Sequence, residues 1–499
     1  MQYQSSRGKS PGVSAAEAII NGIAPDGGLY IPEQIPALSQ EDFLQWIHLP
    51  YQERAQSILQ RYLTDFSPAE VAACINGAYN EENFDHPQIA PLVEISPGLH
   101  LLELWHGPTS AFKDMALQIL PYLLTTSIKK TGESNEIVIL VATSGDTGKA
   151  ALEGFRDVAG TRIVVFFPAE GVSQVQRLQM VTQLGDNVYV AGVLGNFDDA
   201  QNGVKQIFAD QQFINALAKK HLKMSSANSI NWGRLLPQIV YYLSAYCDLL
   251  QKRRLKPGET VNIVVPTGNF GNILAAYYAR EMGLPVNRLI CAANANNILT
   301  DFINSGVYDR NRSFYRTISP SMDILISSNL ERLLAEISGH DSQQVRTWMS
   351  ELTGSGRYEV PGPLREKIQQ LFWSDYGTDA QTIACIRRIW EQYQYLMDTH
   401  TAVAWHVYER YREQSGDGTC TIIASTASPF KFGSSVAEAI LPERLRAGQD
   451  EFALIRFLSE WTGMAVPKGI RDLEKRPVLH KTTTSPADMQ HTVAQFLNL

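Results

Sequence analysis

This sequence has no disulfide or metal-binding pattern. Its five cysteines, Cys74, Cys247, Cys291, Cys385 and Cys420, are scattered, with no CxxC pair and no metal-ligand spacing. An odd, unpatterned set fits a reducing compartment. Basic charge is also in short supply. Lys and Arg number 43 against 51 Asp and Glu, a formal net charge of -8, which argues against nucleic acid as the main partner. No apolar run reaches the ~18 residues that a membrane span needs. The opening MQYQSSRGKSPG lacks the apolar core of a signal peptide. These absences lead to the expectation of a soluble, cytoplasmic protein without membrane or nucleic-acid partners. What remains is ordinary globular composition: 499 residues, 44% hydrophobic and 19% charged. That is enough for about two to four domains.

Short β-branched runs alternate with helical segments through the middle of the chain. EIVILVA (136–142), RIVVFF (162–167), NVYVAGV (187–193), residues 261–265, RLICAANA (288–295) and GTCTIIASTASP (418–429) predict strands. DDAQNGVKQIFAD (198–210) predicts a helix. The rhythm implies an α/β protein with open, mostly parallel sheets flanked by helices. Ligands then sit beyond the carboxyl ends of the strands. Residues 1–95 read as a mostly helical N-terminal domain, with positive φ expected at Gly27 and Gly28 of APDGGLYIP. The expected large domain joins 96–135 to 258–435, with 300–400 a helix-rich insertion. A small α/β domain spans 136–257, and 436–499 is a C-terminal extension.

Five segments carry candidate chemistry, each with a plainer alternative. SGDTGKAA (144–151) fails as a nucleotide P-loop, because Thr143 stands where the first glycine belongs and Ala150 follows Lys149. Ser144, Thr147 and a helix N-terminus there suit a carboxylate; the alternative is a helix cap by Thr147. PTGNFGN (266–272) reads as a phosphate cradle or as a tight strand-to-helix turn. In SSANSINWGRLLPQ (225–238), Asn228, Ser229, Asn231 and Arg234 form a second anion site or a capped helix with a solvated arginine. STASPFKF (425–432) offers the hydroxyls of Ser425 and Thr426, or a turn before Pro429. In HGPTSAFKDMALQ (106–118), Lys113 is either a snorkelling side chain or a partly desolvated Schiff-base amine. Asp114 is expected to cap a helix, with orienting the lysine loop as the alternative, and His106 and His400 to be site residues or structural hydrogen-bonders. Taken together, an amine, two anion cradles and a carboxylate loop at strand ends suit pyridoxal phosphate and a phosphorylated substrate.

With these residues assembled, the chain resembles the threonine synthase family of fold-type II pyridoxal-phosphate enzymes, whose fold is like that of the tryptophan synthase β subunit. SSRG, GIAPDGGLYIP, HGPTSAFKDMALQ, ATSGDTGKAA, NSINWGR, PTGNFGN and STASPFKF carry the resemblance. It implies that Lys113 forms the Schiff base with pyridoxal 5'-phosphate. It implies that Gly268, Asn269, Phe270, Gly271 and Asn272 hold the cofactor phosphate and that Thr426 bonds the pyridine nitrogen. Ser144, Asp146 and Thr147 then meet the substrate's amino-acid end. Asn228, Ser229 and Arg234 form the substrate-phosphate site, with Lys149 a further candidate, and no metal is called for. The implied reaction converts O-phospho-L-homoserine and water to L-threonine and phosphate, the last step of threonine biosynthesis. Alternatives are a phospho-lyase or a serine/threonine dehydratase on the same fold, or a non-catalytic binding protein.

Overall fold

The computed structural model describes residues 1–170 and 172–499. Two sheets arise from runs of apolar residues buried on both faces. In strand Glu136–Ala142 every residue after Glu136 is buried, and strand Val261–Pro266 is buried throughout. The larger sheet has the order Phe372–Tyr376, Val286–Ala293, Val261–Pro266, Thr421–Ser425, Leu99–Glu103, Leu92–Ser96. All its neighbours are parallel except the last pair. The smaller sheet, Thr482–Thr484, Val188–Val193, Thr161–Pro168, Glu136–Ala142 and Leu222–Ser225, is parallel throughout.

The structure redraws several expected boundaries. Leu92–Ser96 forms an edge of the larger sheet, so the last residues of the expected N-terminal stretch belong to that sheet. Within the helix-rich 300–400 stretch, Phe372–Tyr376 pairs with Val286–Ala293 and so forms the other edge of the larger sheet. The segment 436–499 is no mere extension. Thr482–Thr484 pairs with Val188–Val193, and Met489, Val493 and Leu497 pack in one cluster with Val138 and Leu140. A polar TTT strand gives no local hydrophobic signal, and only the non-local pairing defines it. Helix Trp232–Gln251, assigned to the small domain by sequence, packs on helices Tyr51–Tyr62 and Gly271–Met282. Arg54, buried, fixes it through Ser244 and Asp248, with Nη1 2.6 Å from the carboxylate. At the N-terminal turn Gly27 has φ 77°, as its sequence suggests. Gly28 does not lie in the left-handed region; a Cβ there would meet Ser5 Oγ at 2.1 Å, so close approach is what requires glycine. No helix among the described residues is long and apolar enough to cross a membrane.

Candidate active site

Five loops that follow parallel strands converge on one cavity of about 1020 Å3. Lys113 comes after Leu99–Glu103, Ser144 and Asp146 after Glu136–Ala142, and Asn228 and Ser229 after Leu222–Ser225. Gly268–Asn272 follow Val261–Pro266, and Thr426 follows Thr421–Ser425. Carboxyl ends of parallel strands are where open α/β sheets leave room for ligands. The lysine loop is bound to the Thr426 loop by an Ala111–Ala427 bridge and by Phe112 N–H donating to Thr426 O at 2.8 Å. This pairing sets Lys113 and Thr426 on one wall.

Lys113 lies at the head of the short helix Asp114–Leu117 and is buried. Its Nζ donates to Ser321 Oγ at 3.2 Å and stands 3.6 Å from Asp146 Oδ2. Burial pushes its pKa below the ordinary lysine value; Asp146 opposes that shift, while Lys431 and Arg234 add to it. Asp146 is buried too, yet neighbouring positive charge, that of Lys431 first, and the Gln176 hydrogen bond outweigh the burial and hold its carboxyl well below the usual range. Asp114 does not act as a cap. It accepts from Thr109 N–H at 2.8 Å and Thr109 Oγ1 at 2.7 Å, and so clamps the lysine loop shut. Burial raises its pKa to about 6 against those hydrogen bonds.

The 268–272 turn is shaped to leave its amides free. Ser327 Oγ donates to Gly268 O, and Asn329 N–H and Nδ2 both donate to Asn269 O. Their carbonyls are thus occupied from outside. Phe270 takes a left-handed φ of 62° ahead of helix Gly271–Met282. Among the described residues the N–H groups of Asn269, Phe270, Gly271 and Asn272 find no acceptor. Tyr241 and Tyr242 both donate to Asn272 Oδ1, at 2.6 and 2.5 Å, and Asn272 Nδ2 is buried without a partner. A Cβ on Gly268 would meet Ser321 O at 2.4 Å. Unpaired donors at a helix N-terminus make an anion cradle.

A second set of donors stands apart from the first. Arg234 is buried, donates to Ala227 O through Nη1, and has an unpartnered Nε. Burial draws its pKa down to about 10, and no carboxylate pairs with it among the described residues. A buried guanidinium without an acid is matched to an anion that arrives with a ligand. Asn228 and Ser229 line the cavity with it. Asn231, by contrast, caps helix Trp232–Gln251 through Gly233 N and donates to Ile19 O and Ser226 O.

Two other expected residues lie elsewhere. Lys149 does not line the cavity; its Nζ is held by Glu153 at 2.8 Å and by Gln183, so it adds nothing to a phosphate site. His106 is also outside, stacked on Trp105 and bonded to Asp85 and Glu103 at 2.6 and 2.9 Å. Burial lowers its pKa, but the two carboxylates prevail and raise it from 6.5 to about 9. A raised folded pKa means stability that is complete below pH 6.5 and lost as pH climbs through 9. With Asp85 largely exposed, the loss is about 2 kcal/mol. Urea unfolding at both pH values should show it, and His106→Gln should abolish the difference.

Three residues that the sequence does not single out converge on Asp146, and of these Ser321 also lines the cavity. Ser321, in the turn Pro320–Met322, links Lys113 to Asp146 Oδ2 at 3.1 Å. Its N–H donates to His400 Nε2 at 3.1 Å, while His400 Nδ1 faces Asp398 at 2.8 Å. An imidazole that accepts at Nε2 carries its proton on Nδ1. Gln176 Nε2 donates to Asp146 Oδ1 at 2.8 Å. Lys431 is completely buried, with its Nζ 3.1 Å from Asp146 Oδ1. Only Lys431 has a local signal, a lysine between Phe430 and Phe432 in STASPFKF. The others are assembled by tertiary structure.

The donor set fits pyridoxal phosphate. There is a buried amine of lowered pKa for its aldehyde, and there are unpaired amides and the Asn272 Nδ2 for its phosphate. The Thr426 hydroxyl, with no partner among the described residues, is available to the ring nitrogen. A family model described as pyridoxal-phosphate dependent enzyme matches residues 85–360, and the chain is of that class. Models of the threonine synthase N terminus and C-terminal region match residues 2–79 and 401–496. Threonine synthase of Pseudomonas aeruginosa is 39% identical over 440 residues, 88% of this chain and 90% of its own. The structure of PLP-bound threonine synthase from Brucella melitensis superposes with a TM-score of 0.87 at 35% identity, covering 99% of each chain. The chain belongs to the threonine synthase family. Human threonine synthase-like 1 is 42% identical over 436 residues, 85% of this chain, which spans only 58% of that longer relative.

Proposed function

We propose that this protein converts O-phospho-L-homoserine and water to L-threonine and inorganic phosphate. The observation that carries the reading is the buried, acid-free Arg234, placed in the same cavity as a separate amide cradle at 269–272. One anion site serves the cofactor, and the other is left for a phosphorylated substrate.

When bound, pyridoxal phosphate supplies an electron sink that acidifies hydrogens near the substrate's amino carbon. The residues then divide the work. Lys113 Nζ, a buried amine whose pKa is drawn down, takes the proton from Cα and next from Cβ. Arg234, Asn228 and Ser229 hold the phosphate and stabilise its charge as the Cγ–O bond breaks. Ser144 and Thr147 line the wall where the substrate carboxylate would lie, at the start of helix Asp146–Phe155. Water then adds its hydroxyl at Cβ, and Cα and Cγ are reprotonated. Thr426, being neutral, leaves the ring nitrogen without the charge an aspartate would impose.

The test is to give the cofactor-loaded protein O-phospho-L-homoserine and to measure phosphate and threonine in the same sample. Equal amounts are expected. Phosphate with a keto acid and no threonine would mean a phospho-lyase. No phosphate from this substrate, with release of keto acid from serine or threonine, would mean a dehydratase.

A further inference from the structure

Asp146 divides its two oxygens between two lysines. Oδ1 faces Lys431 Nζ at 3.1 Å and accepts from Gln176 at 2.8 Å. Oδ2 accepts from Ser321 at 3.1 Å and reaches Lys113 Nζ only at 3.6 Å. Lys431 is the better bound of the two. It has no exposed surface, and its Nζ also donates to Thr109 O at 2.8 Å. A carboxylate and a carbonyl on one Nζ are the partners of an ammonium. The short turn Pro429–Phe432 fixes it there, with Phe432 packed on the His400 ring at 4.7 Å.

We infer that Lys431 is a positioning residue that sets the charge state of Lys113, by occupying the Asp146 carboxylate so that Lys113 stands beside it as a neutral amine. The inference rests on the reading of Lys113 as the lysine that joins the cofactor. That condensation needs the free amine: Nζ bonds to the aldehyde carbon, and the aldehyde oxygen leaves as water with the amine's two hydrogens. Were Asp146 uncompensated, it would bind the proton onto Lys113 and block the step. With Lys431 in place the carboxylate is already neutralised, and a second positive charge stands close to Lys113. The other charged groups around this centre include Arg234, on helix Trp232–Gln251, the Asp398–His400 pair, Asp323 just beyond the Pro320–Met322 turn, and Asp114 below Thr109. Arg234 acts in the same direction as Lys431. His400 accepts at Nε2 and so faces Ser321 as a neutral ring.

The test reads attachment of the cofactor and not turnover. The full-length apoprotein is mixed with pyridoxal phosphate between pH 6 and 10. The rate of the absorbance change gives the fraction of neutral lysine. Borohydride then fixes the adduct for peptide mass analysis. Titration of the cofactor itself is common to all variants and cancels. In Lys431→Met the pH midpoint of capture should rise by about 1 to 3 units, the size of shift a nearby charge produces. An unchanged midpoint, with the adduct on Lys113, would overturn the inference and leave the functional reading intact. An adduct on Lys431 or elsewhere would overturn the reading beneath it. If Lys431→Met leaves a buried carboxylate too costly to fold, Lys431→Gln, which keeps a hydrogen-bond donor beside Asp146 without the charge, takes its place. There too the midpoint should rise. An unchanged midpoint in Lys431→Gln would refute the role.

Discussion

Lys113→Ala is expected to lower turnover by at least ~10³-fold while the protein stays folded. Two functions disappear together in that variant, attachment of the cofactor and proton transfer at Cα and Cβ. A positioned general base alone contributes roughly 10² to 10⁴, so the loss should lie at or beyond that range. Stability should hardly change. Removing one partner of a buried ion pair is ordinarily costly because it leaves a lone charge. Here Asp146 keeps Lys431 at 3.1 Å, together with Gln176 and Ser321. The lysine loop is anchored independently, by Asp114 on Thr109 and by the Ala111–Ala427 bridge. Phosphate release, cofactor absorbance and a thermal melt on the same preparation check the three parts. Turnover within about tenfold of the parent would remove Lys113 from the chemistry. A collapsed melt would mean that the loop depends on its lysine more than these contacts indicate.

The sequence shows where the strand-end loops lie more clearly than what holds them. Strands such as EIVILVA are legible because both faces are buried and the run is short. Glycine-rich turns after them mark where a backbone can approach a ligand. Gly268 illustrates this: the need for glycine comes from Ser321 O, 53 residues away in sequence (321 minus 268), but the motif shows it locally. Lys113 is legible for a similar reason, since a lysine set in an apolar helical start is unusual. Ser321 and Gln176 are not legible, because their shared target, Asp146, meets them only after two sheets are brought together; His400 is legible as a candidate, but nothing local shows that its partner is Ser321. Lys149 shows the converse error. In the sequence it lies beside the right loop, but one helical turn beyond Asp146 it points its ammonium to Glu153 and Gln183. Position along a motif does not determine the face of the helix on which a side chain emerges. The edge strands Phe372–Tyr376 and Thr482–Thr484 escape for the opposite reason. They are short and partly polar, and pairing with a pre-existing sheet supplies most of what makes them strands.

Arg234→Met should reduce kcat/KM for O-phospho-L-homoserine by roughly 10²- to 10³-fold, on the scale of losing charge-assisted hydrogen bonds in a site that excludes water. If the guanidinium holds the substrate's phosphate in both ground and transition states, KM rises most. If it acts chiefly on the departing phosphate, kcat falls most. Cofactor absorbance should be unchanged in either case, because the 269–272 amides and Asn272 Nδ2 form a separate cradle. A variant that loses cofactor as well as substrate would assign Arg234 to the cofactor phosphate and leave the substrate site unplaced. The stability effect should run the other way from the activity effect. Arg234 is buried, has no carboxylate partner among the described residues, and is pulled down to about 10 by desolvation. Replacing such a charge with an apolar side chain of similar length removes a desolvation cost, so the apoprotein should melt no lower than the parent and up to ~1 kcal/mol more stable. With the cofactor loaded, so that the 269–272 cradle is filled, inorganic phosphate should raise the melting temperature of the parent by mass action and leave the variant unmoved. A parent that ignores phosphate, or a variant that still responds equally, would place the anion somewhere other than Arg234. Loss of activity combined with retained or increased stability is the pattern expected of a residue kept charged and unpaired in the interior for a ligand.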